Sequence, residues 1–284
     1  MGPALRAAAH GRRKSMSRLD GKIAVVTGGT QGLGAEVARL FAERGAAGLV
    51  ICGRGVAKGE AKAKAISEAH GTKVHFVAAD LEKVEDCRKV ISAARETFGR
   101  LDALVNVAAI TDRGTILDTD PQLFDRMFAI NTRAPFFLMQ EAIRLMLETK
   151  TEGTIVNISS MSAMAGQPFI AAYCASKGAL DTLTRNTAFA LLKNRIRVNA
   201  LNIGWMASDG EDRIQREFHG APEDWLAQAA AKQPFGRLVD PAEVARACAY
   251  LSSEESGLMT GATINFDQSI WGAYEDSPHP SKAF

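Results

Sequence analysis

The feature that most constrains this chain is a repeated change of period, in which short β-branched apolar runs alternate with longer amphipathic helical patterns. Seven runs read as strands: 23–27, 49–52, 74–78, 103–107, 154–158, 196–201 and 262–266. They are near-continuously apolar, as strands buried on both faces are. Between them, Leu33, Val37, Leu40 and Phe41 share one helical face, and Val84, Cys87, Ile91, Ala94 and Phe98 share another. Asp240-Pro241-Ala242-Glu243 opens a further helix: Asp caps, Pro takes the first helical position, and Glu lies three residues after the cap. Such alternation predicts parallel βαβ units. The expected fold is α/β: one Rossmann-type doubly wound domain over 18–284, with a mainly parallel seven-stranded sheet flanked by helices. From Asn202 to Gly236 no strand pattern appears. This stretch (an insertion at about 203–236) is expected to lay short helices over the carboxyl edge of the sheet, where ligands bind in such folds.

Composition narrows the function classes. With 46% hydrophobic and 23% charged residues, the 284-residue chain reads as an ordinary soluble protein. A net charge of +2 gives no argument for nucleic acid or for an acidic membrane surface, and no apolar run is long enough to span a bilayer. Cys52, Cys87, Cys174 and Cys248 are widely spaced and form no CxxC pair, which predicts reduced thiols in a cytoplasmic protein. The histidines make no ligand pattern with them, so no metal is expected. The first 19 residues carry five Lys/Arg and no acid but lack the apolar stretch of a secretory signal. Residues 1–17 are expected to be a disordered extension, with an Arg-rich transit peptide or a start at Met16 as the other readings.

The first strand runs into Thr27-Gly28-Gly29-Thr30-Gln31-Gly32-Leu33-Gly34, and a helical pattern follows at once. Glycines let a backbone turn tightly against a pyrophosphate, and the helix amino terminus favours its charge. Gly28, Thr30, Gln31, Gly32, Leu33 and Gly34 are therefore candidate dinucleotide contacts. The second strand leads into Gly53-Arg54, where an NAD site would place an acid on the ribose 2′-hydroxyl. An arginine there suits the 2′-phosphate of NADP, so NADP is the expected cofactor, with NAD as the alternative. Asp80, ending the third strand, either bonds the adenine or caps the helix that follows Leu81.

Tyr173 and Lys177 lie four apart at the start of a helical pattern, hence on one face. A nearby ammonium is expected to lower the pKa of the phenol, which is otherwise a poor base at neutral pH. Ser160 follows the fifth strand (154–158), thirteen residues before Tyr173, and can bond a carbonyl or alkoxide oxygen beside the phenol; Ser159 is the local alternative.

Tyr-x3-Lys with this upstream Ser, together with TGxxxGxG, resembles the short-chain dehydrogenase/reductase family over about residues 19–266. Asp80-Leu81, Asn106-Val107-Ala108-Ala109, Asn131, Arg197-Val198-Asn199, Gly236-Arg237-Leu238 and Thr260-Gly261 fit the same pattern in order. The resemblance implies that Tyr173 is general acid in reduction and general base in oxidation. It implies that Lys177 holds the nicotinamide ribose, Ser160 orients the substrate oxygen, and Asn131 holds a water in a proton relay. On the residues alone, Asn131 reads better as a locally bonded mid-helix residue. Asp80, Leu81, Asn106, Ala108, Ile203 and Ser208 join the candidate cofactor contacts. Ala109, Ile203-Gly204, Ser208 and Asp267-Gln268-Ser269 depart from the family's usual residues, which bears on substrate shape.

The expected partner is a small carbonyl or alcohol substrate, moved by hydride transfer. Ser162, Met164, Gln167, Phe169, Trp205, Met206 and Trp225 are candidate pocket residues. The charged run from Asp209 to Arg216 is either a recognition element for a polar or acidic substrate or a solvated face. A homo-oligomer, tetramer or dimer, is expected, and the tail with Trp271 and Tyr274 packs on a neighbouring subunit or on its own. The alternatives are a 3-oxoacyl-thioester reductase and, in another class, a non-catalytic dinucleotide-sensing scaffold. The complete Ser160, Tyr173, Lys177 set argues against the latter.

Overall fold

β1 (Ile23–Val26) is an interior strand of a seven-stranded, wholly parallel sheet. In the computed structural model, which describes residues 17–164 and 166–270, the chain passes from β1 through α1 (Gly32–Glu43) to β2 (Gly48–Gly53). It continues through α2 (Val56–His70) to β3 (Lys73–Ala78). It then returns by α3 (Val84–Phe98) to β4 (Ala103–Asn106), on the other side of β1. α4 (Pro121–Phe128), a π-helical turn (Ala129–Arg133) and α5 (Ala134–Glu148) lead to β5 (Thr154–Ser160). α6 (Ala171–Ala190) leads to β6 (Arg197–Ile203). α7 (Asp209–His219), α8 (Trp225–Ala231) and α9 (Pro241–Ser252) precede β7 (Thr263–Phe266). The strand order β3-β2-β1-β4-β5-β6-β7 reverses direction between β1 and β4, which opens a crevice beyond their carboxyl ends. The expected fold class is met. Most of the basic extension, with Trp271 and Tyr274, lies outside the described residues.

Alternation along the strands feeds two cores. Leu49 and Ile51 of β2 face one side, packing with Val37 and Phe41 of α1 and Val244 and Cys248 of α9. Val50 and Cys52 face the other, with Val90 and Ile91 of α3 and Leu138, Met139 and Leu145 of α5. Burial of each such side chain contributes about 1.5–3 kcal/mol. Asp240 caps α9 as expected: its Oδ1 accepts from Ala242 N (2.8 Å), and Glu243 returns to the Asp240 amide.

At the carboxyl edge, β5 and β6 run furthest past their sequence pattern. β5 continues to Ser160 and β6 to Ile203, because register with neighbours persists there: Ser160 pairs with Ile203, and Ile203 with Phe266. Asn202, read as loop, is a fully buried strand residue. The rest of the expected insertion holds α7 and α8, as anticipated.

Candidate active site

A cavity of about 1690 Å³ opens along the carboxyl edge, from the glycine-rich turn to α7. Its first half is built from backbone. Thr27 Oγ1 accepts from the amides of Val107 (2.9 Å) and Ala108 (3.0 Å), tying the end of β1 to the end of β4. Gly28 has φ +65 and lies so near Ala108 that a Cβ would sit 3.2 Å from its Cα. A Cβ on Gly34 would run into the Gly28 carbonyl. The turn thus closes directly onto α1. No side chain caps α1 at Gln31, and its first turn carries no acid, so its orphan amides remain for an anion. These features fit a dinucleotide pyrophosphate.

Of the candidate cofactor contacts, Gly28, Thr30, Gln31, Gly32, Leu33, Gly34, Arg54, Asp80, Leu81, Ala108, Ile203 and Ser208 line the cavity. Asn106 does not: its side chain is buried and donates to Asn157 Oδ1 (2.8 Å), joining β4 to β5 inside the sheet. Asp80 Oδ1 accepts from Glu82 N (3.2 Å), so it holds the turn before α3, whose cap position is Lys83. Ser208 caps α7, accepting from Glu211 N (3.2 Å). A Cβ on Gly53 would come 2.9 Å from Thr30 Cγ2, which leaves no room for an acid without displacing Thr30. Lys58 was not anticipated; it lines the cavity beside Arg54 and donates to Gln31 Oε1 (2.5 Å). Its place in the first turn of α2, right after β2, was the available signal.

At the centre, β5 delivers Ser160, and the start of α6 delivers Tyr173 and Lys177. Ser160 lies close enough to the Tyr173 phenol to favour its ionised form. Ser159, one residue earlier and on the opposite face, turns to the Lys177 carbonyl instead (3.5 Å). Lys177 is 2% exposed; its Nζ donates to the Ile158 carbonyl (2.8 Å) and lies 5.7 Å from the Tyr173 ring centroid. Burial pushes Lys177 down to about 8, opposed by Asp181. Burial pushes the Tyr173 phenol up to about 12; the Ser160 hydroxyl and the Arg113 charge pull it back, while Cys174 and Glu211 push it further up. The expectation that Lys177 lowers the phenol is not met in this arrangement. Its ammonium donates to the Ile158 carbonyl, and Ser160 and Arg113 are the groups that pull the phenol down.

Asn131 does not line the cavity and is fully buried. Its Oδ1 accepts from Ile110 N (3.0 Å), and its Nδ2 donates to Ile110 O (2.9 Å) and to Ser176 Oγ (3.1 Å). Ser176 in turn donates to the Tyr173 carbonyl (2.8 Å). Asn131 therefore joins the loop after β4 to α6, and its Nδ2 also keeps a local contact with Met127 Sδ four residues back (3.1 Å).

The far half is made of side chains. Ser162, Gln167, Phe169, Trp205 and Met206 line it; Met164 and Trp225 do not. Trp225 is buried beneath α7, stacks on Trp205 at 6.1 Å and donates to Asp212 Oδ1 (2.7 Å). The charged run is more than a solvated face, since Asp209, Glu211 and Arg213 line the cavity. Glu211 Oε1 accepts from Trp205 Nε1 and Gln215 Nε2, both at 2.8 Å. Arg113 and His219, which no sequence pattern marked, complete this half.

A doubly wound sheet with a glycine-lined helix terminus at its crevice is the architecture of a dinucleotide-dependent enzyme. The family model described as enoyl-(acyl carrier protein) reductase matches residues 28–268. Galactitol 2-dehydrogenase of Agrobacterium fabrum is 32% identical over 260 residues, covering 89% of this chain and 99% of that one. The NADP-dependent (R)-specific alcohol dehydrogenase of Lentilactobacillus kefiri is 34% identical over 253 residues, covering 88% and 96%. The solved structure of an NAD+-bound xylitol dehydrogenase superposes with a TM-score of 0.82 at 26% identity, covering 88% and 99%. The chain belongs to the short-chain dehydrogenase/reductase family. It is an NAD(P)-dependent oxidoreductase acting on CH–OH or C=O groups.

Proposed function

We propose that the protein is an NADP(H)-preferring oxidoreductase that moves a hydride between nicotinamide and a carbonyl or secondary-alcohol carbon, with Tyr173 as general acid and base. One observation carries this reading: the fold brings Ser160, Tyr173 and Lys177 together at the carboxyl edge, in the same cavity as the glycine-rich turn. When bound, the nicotinamide supplies or takes the hydride. In reduction, Tyr173 Oη gives its proton to the developing alkoxide; in oxidation it takes the proton back. Ser160 Oγ donates to the same oxygen and stabilises its charge. Lys177 holds the ribose hydroxyls. Asn131 fixes α6 against the loop after β4, and its proton-relay role would run through the Ile110 carbonyl it bonds.

Support for NADP comes from Arg54 and Lys58 at one rim and from the missing acid at Gly53, with Thr30 against it. Both side chains are exposed enough to swing onto a 2′-phosphate. Self-association and cytoplasmic residence belong to the same reading. Exposed Phe136, Phe189 and Leu192 on one side of the fold, and free thiols at all four cysteines, support them. Fluorescence titration with NADPH and NADH, then turnover on a carbonyl and polyol panel, tests the assignment. Tighter NADPH binding with turnover is expected; binding of neither dinucleotide would overturn it.

A further inference from the structure

The substrate half of the cavity contains an arginine that forms no ion pair among the described residues. Four arginines line the cavity, and Arg54 stands at the dinucleotide end. Arg126 pairs with Glu82 and Asp112, and Arg213 with Glu217. Arg113 has no carboxylate oxygen within 4.0 Å among the described residues. Its guanidinium lies over the Phe169 ring, 5.3 Å from the centroid. Nε donates to His219 Nε2 (3.0 Å), and Nη1 donates to the Thr111 carbonyl (3.1 Å). Nη2 has no partner among the described residues, so the Nη1–Nη2 edge keeps two donors in the fork geometry that matches a carboxylate.

The loop that carries Arg113 is fixed at both ends. Asn131 grips the amide and carbonyl of Ile110. Gly114 pairs by backbone with Phe169 and Ala171, at 3.0 Å each, two residues before Tyr173. Arg113 is thereby held beside the catalytic helix, close enough for its charge to favour the Tyr173 phenolate. Glu211 and Asp112 are the nearby acids; two donors already occupy Glu211 Oε1, and Asp112 pairs with Arg126.

We propose that Arg113 anchors the carboxylate of a hydroxy acid or oxo acid whose reacting carbon lies at the Tyr173 hydroxyl. This rests on the hydride-transfer reading above. In oxidation the carbinol carbon loses a hydride to the oxidised nicotinamide and its hydroxyl loses a proton to Tyr173. An oxo acid, reduced nicotinamide and one proton result, and the carboxylate is unchanged.

The test is calorimetric titration of the NADP+-loaded protein with 2-, 3- and 4-hydroxy acids of three to six carbons, with their methyl esters, and with xylitol and galactitol. Wild type, Arg113→Gln and Arg113→Lys are compared, and NADPH binding is measured on each as a control for folding. At least one acid should bind about 10- to 100-fold more tightly than its ester, the range of a charge-assisted pair. Arg113→Gln should remove that preference, Arg113→Lys should retain part of it, and NADPH affinity should stay level in both. Esters or polyols binding as well as the acids, no binding by any acid, or equal losses of acid and ester in Arg113→Gln would overturn the anchor. In each of those cases intact NADP+ binding leaves the cofactor reading standing. Absence of dinucleotide binding by the wild type would overturn both.

Discussion

The two halves of the cavity are made of different material. Around the glycine-rich turn the walls are main chain, held at contact distance by Gly28 and Gly34 and locked by Thr27 to β4. Around α7 the walls are long side chains: Trp205 and Gln215 bond to Glu211, and Arg113 bonds to His219 and lies over Phe169. Backbone can be rebuilt only by moving strands. A side chain can be exchanged singly. The first half therefore suits a ligand shared by a whole family, and the second suits the ligand that distinguishes one member. Galactitol and xylitol dehydrogenases share this fold and differ in their named substrates, which agrees with that division.

The contrast can be broken by substitutions on either side. Tyr173→Phe, at the junction, should lower kcat by about 10²–10⁴-fold, the scale of lost proton transfer, with NADPH binding little changed. Stopped-flow hydride transfer checks this, and retained turnover would remove Tyr173 from its role. Gly34→Ala forces a Cβ onto the Gly28 carbonyl and should weaken NADPH binding by about 100-fold or more, a change of the size expected from strain or overpacking. Gln215→Ala should leave NADPH binding level and shift only substrate KM. If both variants act alike, the two halves are not separable. Arg54→Ala should weaken NADPH binding by about 10-fold and spare NADH, as loss of one charge-assisted bond requires; equal losses in a paired titration would sink the 2′-phosphate contact.

The smallest effect is one of pH. The folded pKa of Lys177, about 8, lies below its ordinary 10.5, so between those values the unfolded chain holds the extra proton. The contribution of Lys177 to stability should then rise with pH across that window, by on the order of 1 kcal/mol per unit. Denaturant melts of wild type against Lys177→Met at pH 7.5 and 9.5 would show it as a growing difference. A constant difference would mean that the ammonium is better solvated than its burial implies.

The backbone half was legible because its constraints are local. A strand, a glycine cluster and a helix start follow one another within a dozen residues, and Tyr173 and Lys177 share one helical face. Ser160 was legible through its place at a strand end. The side-chain half was not, because its members meet only in the folded chain: Arg113 follows β4, Phe169 precedes α6, and Glu211 and His219 ride on α7. Asn202 misled for a related reason. A polar residue suggests a loop, yet parallel pairing with β5 and β7 carries it through the interior. Asn106 and Asn131 fit the family pattern by position, but only the packed structure shows that each side chain ties two elements together without reaching the cavity.

The π-helical turn at Ala129–Arg133 has an effect best stated as phase. A turn of this kind takes one residue more than an α-turn, and the surplus is absorbed on the spot as a bulge. The faces of α4 and α5 on either side therefore remain in step with their own contacts. Removing one residue here would let the two helices run on as one, with both flanking faces still in register. Asn131 alone would rotate, by about 100°, the angle per residue of an α-helix. Ile110 and Ser176 would then lose their common partner, and the loop would be held to the catalytic helix only at its far end, by the backbone pairing of Gly114 with Ala171, in a protein that otherwise folds as before.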